Sequence, residues 1–133
     1  MTLRRILRPS APGVLLMLSA CGGPMALLRG DPCEGAWMQL FDDARFSDQR
    51  LTVRYPDEHA SLRGVNSDAG GRDLNDRVSS ARWEAPPGCR AVLFEDENFR
   101  GTRFELVGSG RREENANLGS FNDKASSLRW ERG

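Results

Sequence analysis

Two eleven-residue segments of the 133-residue chain concentrate hard oxygen donors, LNDRVSSARWE from 74 to 84 and FNDKASSLRWE from 121 to 131. They are identical at seven positions, and Arg77 against Lys124 keeps the charge. Asn75, Asp76, Ser79 and Ser80 in the first segment correspond to Asn122, Asp123, Ser126 and Ser127 in the second. Carboxylate, amide and hydroxyl oxygens crowded onto a tight turn, with main-chain carbonyls beside them, suit a hard divalent cation that wants six to eight oxygens. The same residue types also make turns and side-chain to backbone hydrogen bonds ahead of a strand, with no metal involved. Arg77 and Lys124 would weaken cation binding if they folded back over the ion.

Catalytic chemistry finds little support. His59 is the single imidazole, it lies in a polar Asp57-Glu58-His59 stretch, and no serine sits in an elbow motif. Carboxylates are numerous, but no spacing singles out an acid and a nucleophile, and such side chains are ordinarily solvated surface. Gly70-Gly71 and Gly108-Ser109-Gly110 are loop glycines that open no helix able to receive phosphate. The chain is therefore read as a non-enzyme. Nineteen bases balance nineteen acids. Three of the bases, Arg4, Arg5 and Arg8, fall in the first twenty residues, which hold no acid, so the body of the chain is mildly acidic. No basic nucleic-acid footprint exists.

The elements that must position the oxygen donors are short strands. Residues 38–41, 51–55, 91–94 and 102–107 are apolar runs bounded by turn residues. Their period is two: Ala81 and Trp83, like Leu128 and Trp130, fall on one face, while Arg82 and Arg129 fall on the other and are expected to meet water. A second matched pair lies upstream, LFDDARFSD at 40–48 and LFEDENFRG at 93–101, with six extra residues in the central loop of the first copy, which includes 65–71. Each copy of about fifty residues reads as a four-stranded unit, and two such units packed sheet on sheet give an all-β sandwich.

With both repeats in view, the sequence resembles a βγ-crystallin domain, a pair of Greek-key motifs covering 35–133, with the first at about 35–86 and the second at about 87–133. One signature of that family is an aromatic, four residues, an aromatic, one residue and a glycine. It is complete as Phe94, Phe99 and Gly101, whereas Phe41 and Phe46 are followed by Asp48. The glycine supplies a positive φ in the folded hairpin, a conformation that Asp tolerates better than most residues.

In microbial relatives the second signature, the duplicated Asn-Asp-x-x-Ser-Ser segment, is a calcium clamp. The resemblance implies two Ca2+ sites, each held jointly by both motifs. It assigns side-chain ligation to Asp76, Ser79, Asp123 and Ser126, with Asn75 and Asn122 ligating or bracing the turn. It adds the carbonyls of Arg77 and Lys124, and one hairpin carbonyl per site from Asp42 or Asp43 and from Glu95 or Asp96. The implied role is structural or stress-protective. Two alternatives are open. The run NLGSFNDKASS at 117–127 resembles secreted bacterial metalloproteinase inhibitors of the same fold, which would present the 55–73 loop to a protease. A glycan-binding module would need Trp37 and Tyr55 as platforms, although both read as core.

The first twenty residues have the form of a secretory signal, and Leu18-Ser19-Ala20-Cys21 resembles the lipobox of bacterial lipoproteins. That resemblance implies acylation of Cys21, a membrane contact through the lipid, and residence in the cell envelope after export. Residues 21–34 then form a tether. With Cys21 given to the lipid, Cys33 and Cys89 remain as an even pair in an oxidising compartment, either a disulfide or two buried thiols. With one histidine in the chain, a zinc site on these cysteines is not expected.

Overall fold

The computed structural model describes residues 31–133. The expected signal peptide at 1–20, the expected lipobox with Cys21 and the expected tether up to residue 30 lie outside the described residues. Seven strands follow in order: β1 (Trp37–Asp43), β2 (Ser47–Arg54), β3 (Ser80–Glu84), β4 (Cys89–Asp96), β5 (Arg100–Val107), β6 (Arg112–Asn115) and β7 (Ser127–Arg132), with one 3-10 turn at Gly119–Phe121.

All strand pairs are antiparallel and form two sheets, ordered β2-β1-β3-β6 and β5-β4-β7. The sandwich is as expected; its partition between the copies is not. β6 belongs to the second copy yet pairs with β3 of the first, Ala81 opposite Asn115. In return, the 59–62 segment of the first copy lies against β7: His59 and Leu128 exchange two backbone hydrogen bonds of 3.0 Å, and Leu62 N–H donates to Ser126 O at 2.8 Å. Neither copy is a self-contained sheet. The crossing of the second copy passes through Gly108, where the chain leaves β5 towards the other sheet. A side chain there would press on the carbonyls of Ala85, Pro86 and Cys89. Glycine alone permits that close approach.

The core lies between the sheets and follows the two-residue alternation. Met38, Leu40, Ala81, Ala91, Leu93 and Leu128 are wholly buried, with Trp83 and Trp130 nearly so. Leu62, Leu74, Val78, Leu118 and Phe121 close its ends from the connections. Tyr55 packs against this core edge-on to Trp130, as expected. Trp37 does not: it is half-buried on the outer face beneath the Arg112 guanidinium, because its neighbour Met38 takes the inward position.

Arg82 and Arg129 also depart from expectation. They leave the core as predicted but are only partly solvated. Arg82 stacks over Phe46 at 4.2 Å and Arg129 over Phe99 at 4.8 Å, since each folded hairpin lays an aromatic ring across the outer face.

Cys33 and Cys89 form a disulfide with Cα atoms 5.2 Å apart, and both are buried. The free-thiol alternative is thereby removed. Closing this loop is worth about 4 kcal/mol in the chain-entropy model. It also fixes the chain to the sandwich at Cys33, two residues before the first Greek key as read from the sequence.

Candidate metal centre

The centre begins with the second serine of each signature. Ser80 is wholly buried; its hydroxyl donates to Asp43 O at 2.6 Å and accepts from Phe46 N–H at 3.0 Å. Ser127 does the same with Asp96 O at 2.6 Å and Phe99 N–H at 3.0 Å. Each hairpin is folded sharply, with positive φ at Arg45 and Phe46 and at Asn98 and Phe99, and its two aromatic rings meet edge to face. Asp48 adopts φ 67°, so it does the work that Gly101, at φ 85°, does in the second copy. The serines thus pin acidic hairpins beside the polar loops.

The loops themselves cross between copies. Asp76 and Asp123 both hold positive φ; Asp76 N–H donates to Ala125 O at 2.9 Å, and Asp123 N–H donates to Val78 O at 3.0 Å. Their carboxylates are consequently delivered to the opposite loop. Ser126 Oγ donates to Asp76 Oδ1 at 2.8 Å, and Ser79 Oγ lies 3.2 Å from Asp123 Oδ1 and 3.3 Å from the Arg77 carbonyl. One cluster comprises Arg77 O, Ser79 and Asp123 beside Asp42 and Asp43. The other comprises Lys124, Ser126 and Asp76 beside Glu95 and Asp96. Asp76 and Asp123 line both grooves, each hydrogen-bonded to the serine of one, while Asn75 and Asn122 line the first groove only, so the structure brings the expected residues together but not as two equal sets.

Oxygens about 2.4 Å from one calcium ion and separated by 72° to 87° lie about 2.8 to 3.3 Å apart. The spacings of 2.8, 3.2 and 3.3 Å fall in that interval, and a cation would take the place of the serine-to-carboxylate hydrogen bond, the hydroxyl keeping its proton and turning it away. Asn75 Oδ1 is a buried acceptor without a donor, which also suits a cation. All donors are oxygen, the preference of a hard ion rather than of zinc or copper. The Arg77 and Lys124 side chains are exposed. The carbonyls of Asp43 and Asp96 are already engaged by Ser80 and Ser127. Asp42 and Glu95, which sit at the register shift of each hairpin, are the alternative carbonyl donors.

One participant escaped sequence reasoning. Arg72 pairs with the buried Asp42 and reaches Asp48 at 3.3 Å. Asp42, with which it shares a hydrogen bond, raises the Arg72 guanidinium above its ordinary value. The repeat alignment carried the signal: Arg72 stands opposite Gly119, and Asp48 opposite Gly101.

No family model and no curated protein matches the sequence. Solved structures do match. A domain from work on the evolution of the eye-lens βγ-crystallin domain fold is 26% identical, with a TM-score of 0.56 over 78% of this chain and 92% of that one. A βγ-crystallin from Ciona intestinalis is 26% identical, with a TM-score of 0.51 over 71% of this chain and 99% of that one. A βγ-crystallin domain from Flavobacterium johnsoniae is 25% identical, with a TM-score of 0.53 over 72% and 94%. Residues 31–133 therefore have the βγ-crystallin fold, with β6 of the second copy in the first sheet and the 59–62 segment of the first copy bridged to the second.

Proposed function

We propose that the protein is a calcium-binding βγ-crystallin module of structural or stress-protective type, exported and held in the cell envelope by a lipid on Cys21. The reading rests above all on the reciprocal crossing of Asp76 to Ser126 and Asp123 to Ser79, which gathers oxygens from both motifs at ligand spacing. The residues that would hold the ions are the Arg77 and Lys124 carbonyls, Ser79, Ser126, Asp76 and Asp123, with Asn75 and Asn122 ligating or bracing the loops and one hairpin carbonyl per site from Asp42 or Asp43 and from Glu95 or Asp96. A bound ion supplies cross-linking rather than catalysis: it ties both loops to both hairpins. The role is non-enzymatic, since the recognised chemistry is ligation. Export and acylation rest on the leader residues up to Cys21, and intact mass of the mature chain tests them.

Calorimetric titration with calcium, together with melting curves in calcium and in chelator, tests the binding. Ligand at a hundred times its dissociation constant adds about 2.7 kcal/mol to stability, so melting temperature rises with calcium while the disulfide keeps the apo form folded. Absence of both heat and a melting shift at millimolar calcium overturns the proposal.

A further inference from the structure

The two centres differ in how a basic side chain is held over them. In the first, Arg72 lines the groove together with Ser79 and Asp123 and pairs with Asp42. Asp42 is 7% exposed and Arg72 53%, so the carboxylate is the fixed partner and the guanidinium the one able to swing into solvent. A guanidinium does not lose its proton in any ordinary pH range, so its charge leaves the groove only if the side chain moves. The second centre has no counterpart: Gly119 stands where Arg72 would be, and Glu95 and Gly101 stand for Asp42 and Asp48. Arg63 does line the second groove, but its partner Glu97 is 41% exposed, and Arg63 itself 72%, so solvent screens that pair far more.

We propose that Arg72 is a resident counter-cation of the first centre and makes the two centres unequal, the first taking a divalent cation more weakly than the second. This rests on the calcium reading above. In the absence of metal Arg72 neutralises the hairpin carboxylates Asp42 and Asp48; an incoming cation must either displace it or bind against its field. Asp48, at a position whose copy-2 counterpart is glycine, is the second carboxylate that keeps Arg72 over the groove.

A residue-resolved NMR titration of the full chain with calcium chloride tests this. The amides of Lys124 and Ser126 saturate at lower calcium than those of Arg77 and Ser79. Arg72→Gln strengthens binding at the first centre about tenfold, the scale of a unit charge acting on a divalent ion across a few ångströms of water, and leaves the second within twofold. Arg72→Lys, which retains the charge, preserves the order of filling. Both centres filling together in the unaltered chain, a comparison that needs no variant to fold, overturns the inference alone. So does Arg72→Gln with first-centre affinity unchanged. No calcium binding at either centre overturns the calcium reading, and this inference with it.

Discussion

Ser126 donates its hydroxyl to the Asp76 carboxylate at 2.8 Å across fifty residues of sequence, and Ser79 meets Asp123 at 3.2 Å in the reciprocal arrangement. Each signature therefore supplies its hydroxyl to one cluster and its carboxylate to the other. A substitution in one loop should be felt in the opposite copy.

Asp76→Asn provides the direct measurement. An amide oxygen still accepts from Ser126, so the fold is retained, but the second cluster loses a formal charge. Calcium binding at Ser126 and Lys124 is expected to weaken more than tenfold, with Ser79 and Arg77 changed less than threefold. Asp123→Asn should invert that pattern, and residue-resolved titration reads both.

The adjacent serines of each signature have separate duties. Ser80→Ala leaves the Phe46 N–H and the Asp43 carbonyl without their partner at a wholly buried hydroxyl, and should cost about 2 to 3 kcal/mol. For a domain of this size that lowers the melting temperature by about 10 °C or more. Ser79→Ala should cost less than about 1 kcal/mol in chelator and abolish the first centre's response to calcium. Denaturant unfolding in chelator and in calcium separates the two.

Reduction of the Cys33–Cys89 bond, or a Cys33→Ser, Cys89→Ser double variant, should lower stability by about 4 kcal/mol. Calcium should recover part of that loss by linkage. Melting with and without reductant, each in calcium and in chelator, provides the four values needed.

Part of the acid sensitivity should arise on the outer face of the second sheet. Glu131 is held down to about 2, from an ordinary 4.5, first by the hydrogen bond from Arg103 and then by Arg129, against a desolvation cost. A depressed carboxyl stabilises the fold fully above its unfolded value and ceases to do so as pH falls through its folded value. Stability should therefore decline as pH drops from about 4.5 towards 2, and Glu131→Gln should flatten that part of the curve. Thermal melts across this range check the difference.

The amino-acid sequence alone determined the duplication, the strand period and the donor chemistry, because these are local. Ala81 and Trp83 alternate with Arg82 whatever lies across the sandwich. The Asn-Asp-x-x-Ser-Ser run is oxygen-rich wherever it is placed, and Asp48 could be read as a positive-φ residue from its position in the hairpin repeat. Tertiary structure decided what depends on distant partners. β6, Arg112–Asn115, is a polar edge strand with no alternation to betray it, and only its pairing with β3 defines it. Arg82 and Arg129 are covered because hairpins some thirty residues upstream fold rings over them. Arg72 reaches Asp42 across thirty residues through a loop whose closure costs entropy that no local pattern records. Composition and spacing name the candidate oxygens; the backbone bonds of Asp76 to Ala125 and of Asp123 to Val78 are what point each carboxylate at the other copy's serine.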